Sequence, residues 1–327
     1  MSLDFSQSTE VQPQFDEGWG KLNRHEFDVL MTHASTLIAN EDYRLAIHLL
    51  RTALMRFPNH QDALLQMGFC LREIGLFEEA IKCFKALIKN GDDVHAKLML
   101  AETYYLMERD EIALATYRDA LRTVINDQHW LFDTYKNMGN IHVRSGDFEG
   151  AEEYYNKAYA IEPLSDVLMV NFGTLEVQRE NLADAVERFR AAVELNSKND
   201  RAWVGLAMVH RTMGDHELAW ANLERALDMN PNNRTALKLA IAWGDEDYRF
   251  EPAIRSLQTY ISDRGGEDAE MCFSLAKIFV ATGRLHDARI EMERVLSLDP
   301  GIEGALNLQK ILDVEIERSN QSQTRCA

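Results

Sequence analysis

The chain holds ten histidines, and an imidazole near neutral pH can bind a metal or carry a proton. His25 and His33 stand two turns apart on one helical face, but no third ligand lies near them in sequence, whereas a zinc site needs three or four. His142 and His210 each follow a small residue, Gly139 and Ala207, by one turn inside an apolar stripe, which makes them half-buried packing groups. The carboxylate pairs Glu78–Glu79 and Glu152–Glu153 could share acid and base work only if two carboxylates converged on one cleft. They fall on the outer faces of helices, where solvation and pairing with lysine or arginine is the expected role. Cys70, Cys83, Cys272 and Cys326 form no CxxC pair and no regular framework, which predicts reduced thiols with neither disulfide nor zinc. The sequence has no GxSxG, GxxxxGK[ST] or HExxH motif. The expectation is a chain that is not an enzyme and needs no cofactor.

The elements that would position any site are helical. Among 327 residues, 46% are hydrophobic, enough for a buried core, and only six are proline. Alanine, leucine, glutamate and arginine dominate, which favours helix over strand. With 53 acidic against 35 basic residues the net charge is −18, and that field repels phosphate backbones and anionic membranes. Neither nucleic acid nor membrane is expected as a partner. The opening "MSLDFSQSTEVQPQFDEGWGK" lacks the basic start and apolar run of a secretory signal, and no later stretch has 18 unbroken apolar residues. A cytoplasmic location is expected.

A repeat organises the chain. "MGNIHVRSGDFEGAEEYYNKAYAIEP" (138–163) aligns with "LAMVHRTMGDHELAWANLERALDMNP" (206–231) and "LAKIFVATGRLHDARIEMERVLSLDP" (275–300). Related segments occur at 33–58 and 67–91. In each, a large and a small residue stand together with another large one three further on, as in Met138, Gly139 and His142, which is one helical stripe. A Gly-Asp or similar break follows. The second helix then carries Ala151, Tyr155 and Ala158, small residues for close approach and an aromatic to fill the gap, and Pro163, Pro231 and Pro300 end it. On this register Met67, Phe84, Tyr117 and Phe189 are core.

In period and in the order of large, small and proline positions, the sequence resembles the tetratricopeptide repeat family over about nine-tenths of its length. Eight units align: 27–60, 61–93, 94–131, 132–165, 166–199, 200–233, 234–268 and 269–302. The resemblance implies an all-α, right-handed superhelical solenoid (27–302) whose first helices line a concave face. A capping helix is expected over 303–318, with Leu306, Ile311 and Val314 covering the last repeat, followed by a disordered tail over 319–327. Residues 1–26, with Phe5, Phe15 and Trp19 among acids, form a flexible segment or an internal ligand of the groove. Two units depart from the pattern: the third, with extra residues around "VINDQHWLF", and the seventh, with Ala240, Ile241 and Gly244 in place of large, small and large. Trp130 in the first departure either packs inward or offers a partner contact.

The resemblance implies that function lies on the concave face. Its lining is expected to include Lys136, Asn137 and Asn140, then Val170, Asn171 and Thr174, then Arg201, Val204, Met208 and Arg211, and finally Phe273 and Lys277. Some family members clamp a peptide's C-terminal carboxylate with lysine, asparagine and arginine from three successive repeats. Lys136, Asn140, Asn171 and Arg201 resemble four members of such a clamp, while Gly205 stands where a second basic residue belongs. Lysine and arginine donate charged hydrogen bonds to a carboxylate, and asparagine can hold a peptide backbone. Generic polar lining of the groove is the competing account. The implied function is a non-catalytic adaptor or scaffold that binds a peptide segment or C-terminal tail of another protein in its groove. A structural assembly subunit acting through its convex face or ends is the alternative, and self-association through solenoid ends or the N-terminal segment stays open.

Overall fold

A computed structural model describes residues 24–91, 93–123, 125–263 and 266–326, with side chains as far as Arg318. The N-terminal segment expected over 1–26 therefore lies almost wholly outside the described residues. Seventeen helices and no strand occur among those described. The chain divides into two compact units between Ile141 and His142. The first contains α1 (Arg24–Ala39), α2 (Tyr43–Arg56), α3 (Gln61–Glu73), α4 (Phe77–Asn90), α5 (Val94–Leu106) and α6 (Asp110–Ala120). The boundary falls inside α7 (Gln128–Ser145). The second contains α8 (Phe148–Ile161), α9 (Asp166–Gln178), α10 (Leu182–Leu195), α11 (Asp200–Thr212), α12 (His216–Met229), α13 (Arg234–Asp247), α14 (Phe250–Asp263), α15 (Ala269–Ala281), α16 (Leu285–Leu298) and α17 (Ala305–Cys326).

Short turns join the helices in pairs, which makes sequential helices antiparallel neighbours. One residue of each turn sits in the left-handed region. Glycine fills it at Gly75, Gly146, Gly214 and Gly283, with φ between 74° and 84°. Glutamate fills it at Glu41, Glu108 and Glu180, and tyrosine at Tyr248 (φ 54°). A residue with a Cβ is strained there, so at half of the turns the rest of the pair enforces a conformation the sequence does not favour.

Inside each pair the small residues do what their spacing predicts. Ala151, Ala185 and Ala219 are wholly buried. Phe84 lies so close to Gly68 that a Cβ on that glycine would fall 2.5 Å from the ring. Successive pairs are also tied by polar links. In the second unit, Asn196 and Asn199 both donate to Asp166 Oδ2 (2.7 and 2.8 Å), and Asn230 and Asn233 repeat the arrangement on Asp200 Oδ2 at the same distances. Asn199 and Asn233 serve at the same time as N-caps of α11 and α13 through their Oδ1 atoms.

The irregular third unit has an eight-residue separation in numbering between the end of α6 and the start of α7, with Ile125 buried within it. Trp130 is half-buried and meets His95 edge-on at 5.7 Å. In the seventh, Ala240 and Trp243 face inward, Trp243 meets Trp220 edge-on at 5.9 Å, and Gly244 is packed against the Arg249 carbonyl.

Two sequence expectations about α17 need correction. The helix continues to Cys326, past the Arg318 expected as its end, so a helical backbone occupies most of the stretch expected to be a disordered tail. Its inner face also differs. Ala305 and Leu312 are buried, with Leu308 and Ile316 packed beside them, whereas Leu306, Ile311 and Val314 are exposed. Positions 305, 308, 312 and 316 share one helical stripe, which 306, 311 and 314 do not. No helix among the described residues is long and apolar enough to cross a membrane. Cys70, Cys83 and Cys272 are free thiols, and burial pushes Cys70 and Cys83 up to about 11.

Candidate functional site

The second unit contains a groove of about 570 Å³ built mainly on α9 and α11. Its floor is apolar: Val170 and Val177 from α9, Val204 and Met208 from α11, and Phe189 from α10. Phe189 reaches the floor because α9 and α11 present glycine to it. A Cβ on Gly173 would lie 2.8 Å from the ring and one on Gly205 only 2.4 Å. The rim is polar, with Thr174, Asp200, Arg201 and Asn233 among its groups. Asp200 already accepts from two asparagine amides. Arg201 is exposed and makes no hydrogen bond or ion pair among the described residues, so it is an available cation beside an apolar trough. Asn171 follows Val170, is half-buried, and likewise has no side-chain partner among the described residues.

Other residues assigned to the lining have different occupations. Lys136 pairs with Asp133 on its own helix and lies over the Phe132 ring, 5.2 Å from its centroid. Asn140 donates to Tyr105 Oη at 2.9 Å. Asn137 is a correction to the expected lining: it is only 7% exposed and donates to Tyr117 Oη at 3.1 Å, an internal tie between α6 and α7. Arg211 forms a charged cluster with Glu246 and Asp247 and lies over Trp243 at 5.0 Å. The hydrogen bond from Arg211, with a second from Trp220, holds the Asp247 carboxyl down at about 2. Lys277 lies over Phe273 at 5.4 Å.

Val170, Thr174, Arg201, Val204 and Met208 line this one groove. Reasoning from the expected first-helix positions missed Phe189, which comes from a second helix, Asn230 and Asn233, which come from the loop between α12 and α13, and Thr235 at the start of α13. The glycines at 173 and 205 are the sequence signal that could have found Phe189. The histidine expectation can be followed too. His142 is a packing ring, stacked on Tyr154 at 5.1 Å with Nδ1 2.7 Å from Asp147 Oδ2. Hydrogen bonds from the Gly150 N–H and from His142 hold the Asp147 carboxyl below its ordinary range. Among the described residues no group of three His, Cys, Asp or Glu side chains could hold a metal.

Four sequence models described as tetratricopeptide repeat match residues 37–93, 93–162, 170–234 and 269–302. The chain belongs to the tetratricopeptide repeat family. The human protein O-mannosyl-transferase TMTC3 is 25% identical over 295 residues, 85% of this chain. The chain spans only 32% of that protein's length. Anaphase-promoting complex subunit 7 of Arabidopsis thaliana is 22% identical over 83% of this chain and 54% of its own. Among solved structures, the APC/C hetero-tetramer Cut9–Hcn1 superposes with a TM-score of 0.52 at 17% identity, covering 87% of this chain and 49% of that one. That likeness establishes the tetratricopeptide repeat fold.

Proposed function

We propose that this tetratricopeptide repeat chain is a non-catalytic scaffold that holds an extended segment of a partner protein in the α9–α11 groove. The observation that carries the reading is Arg201, an exposed guanidinium without an internal partner at the rim of an apolar trough. An apolar side chain of the segment rests on Val170, Val204 and Phe189. A carboxylate of the same segment, C-terminal or from a side chain, accepts charge-assisted hydrogen bonds from Arg201. Asn171 is the other clamp candidate in this unit. Lys136 and Asn140 would first have to leave Asp133 and Tyr105, so the reading rests on the second unit alone. The Arabidopsis relative is named as a subunit of a complex, which supports a role in assembly. The transferase name belongs to a protein of which the match is about a third. Free thiols suit a reducing compartment such as the cytosol.

The test is an array of acidic and C-terminal peptides from the native proteome, probed with wild type, Arg201→Ala and Met208→Glu. Charged hydrogen bonds contribute about 1.5–3 kcal/mol, so Arg201→Ala should weaken selected peptides about ten- to more than a hundredfold. Amidating the peptide carboxylate should have the same effect. Peptides bound equally by all three proteins would remove the groove reading and leave the assembly-subunit alternative.

A further inference from the structure

Away from the groove, apolar side chains are exposed at and beside the turns that close α11–α12 and α13–α14. Tyr248 is 84% exposed, Met213 53% and Leu218 46%. The two turns are tied together. Asp247 accepts from Arg211 of α11 and Trp220 Nε1 of α12, and His216 Nδ1 lies 3.5 Å from its other oxygen. The Arg249 N–H donates to the Gly244 carbonyl, which fixes Tyr248 in the left-handed conformation with its ring facing outward. That ring has no aromatic, cationic or hydrogen-bonding partner among the described residues.

The setting of this apolar edge is strongly acidic. Asp215, Glu217, Asp245, Glu246 and Glu251 surround it in sequence, and all five are exposed. Two cations oppose them, and both are committed: Arg211 to Glu246 and Asp247, Arg249 to Glu217 and Glu224. Asp245 and Glu251 make no ion pair among the described residues. An electron-rich ring beside uncompensated carboxylates suits a cation, because the ring face and the acids attract the same charge.

We propose that this turn edge is a second interaction surface, distinct from the groove, that takes an arginine- or lysine-rich segment of a partner protein. One side-chain cation stacks on Tyr248, its aliphatic stem lies along Met213 and Leu218, and flanking cations pair with Asp245 and Glu251. The charge balance turns away nucleic acid and anionic lipid, which leaves a basic polypeptide as the occupant.

The turn itself supplies a clean test. Glycine occupies the equivalent left-handed position in four other turns, so Tyr248→Gly removes the ring while relieving backbone strain, and the variant should melt no lower than wild type. The probe is a labelled nine-residue peptide of alternating arginine and alanine, followed by anisotropy in the full-length protein. Binding should weaken with salt, fall about two- to fivefold in Tyr248→Gly, and fall about tenfold or more when Asp245→Asn and Glu251→Gln are added. Arg201→Ala should leave it unchanged. The peptide should protect amides of 213–218 and 245–251 from hydrogen exchange. Equal binding by wild type and the triple variant would mean diffuse attraction to an acidic surface and would overturn the proposal. Self-association of the wild type that disappears in Tyr248→Gly would also overturn it, by making a second copy the occupant.

Discussion

Replacing Gly205 by alanine adds one methyl group to α11, and the surroundings dictate where it lands. It would sit 2.4 Å from Cε1 of Phe189 and 2.6 Å from Cδ1 and Cζ. Carbons rest about 3.5–4.0 Å apart, so the ring or the helix must yield by about 1 Å. The ring has little freedom. Phe189 is 3% exposed, and α9 crowds the same atoms, since a Cβ on Gly173 would fall within 2.9 Å of all three. Overpacking of this kind costs about 1–3 kcal/mol. Phe189→Leu should relieve the clash, so the double variant should be more stable than the sum of the single losses by about 1 kcal/mol or more. Thermal and urea melts followed by circular dichroism give the totals. Hydrogen exchange over α9–α11 should accompany them, because a repeat array need not unfold in one step. An unchanged melt for Gly205→Ala, or strict additivity with Phe189→Leu, would refute the account of why the groove has an aromatic floor.

Leu312→Asp should cost about 3 kcal/mol because it places a charge on the buried face of α17, whereas Leu306→Asp, at a 60% exposed position, should change stability by less than about 0.5 kcal/mol. The opposite order in a melt would restore the inner face expected from sequence. The Asp247 carboxyl, held at about 2 against an ordinary value of about 3.9, contributes stability that is fully present above about pH 4 and is lost as pH falls through 2. Wild type should therefore lose stability more steeply than Asp247→Asn between pH 4 and pH 2, with the gap between them constant above pH 5.

The helical repeat is legible because its signals are local and periodic: the stripe of Met138, Gly139 and His142, and the spacing of Ala151, Tyr155 and Ala158, follow from helix geometry alone. Val170 and Thr174, and Arg201, Val204 and Met208, can be grouped on the same ground, since spacings of three and four put each set on one face of α9 or α11. What sequence does not show is which polar groups are already engaged. Asn137 and Asn140 look like lining until Tyr117 and Tyr105, 20 and 35 residues away, are seen to take their amides. Arg211 looks available until Glu246 and Asp247 close on it from the next repeat. The inner face of α17 is ambiguous for a different reason: leucine, isoleucine and valine occupy both sides, so hydropathy alone favours neither. The left-handed glutamates at 41, 108 and 180 carry no turn signature, because the conformation is imposed by the packed pair rather than by the residue.

The asparagine links on Asp166 and Asp200 also bear on how such a chain can change length. Each link runs from the start of a repeat's first helix to the loop at that repeat's end, where its second asparagine also caps the next helix, and the interval of 30 and 33 residues is the same in both cases. Excising 166–199 as a block would leave Asp200 still holding Asn230 and Asn233, and duplicating the block would create a new link identical to the old. The series is not endless: at Arg234, where the next aspartate would stand, the polarity reverses and the arginine instead grips Asp268 and Glu270 of the following pair. Over that stretch the polar joint is one and the same part used twice, so a change of one whole repeat would leave this tie intact at the new seam.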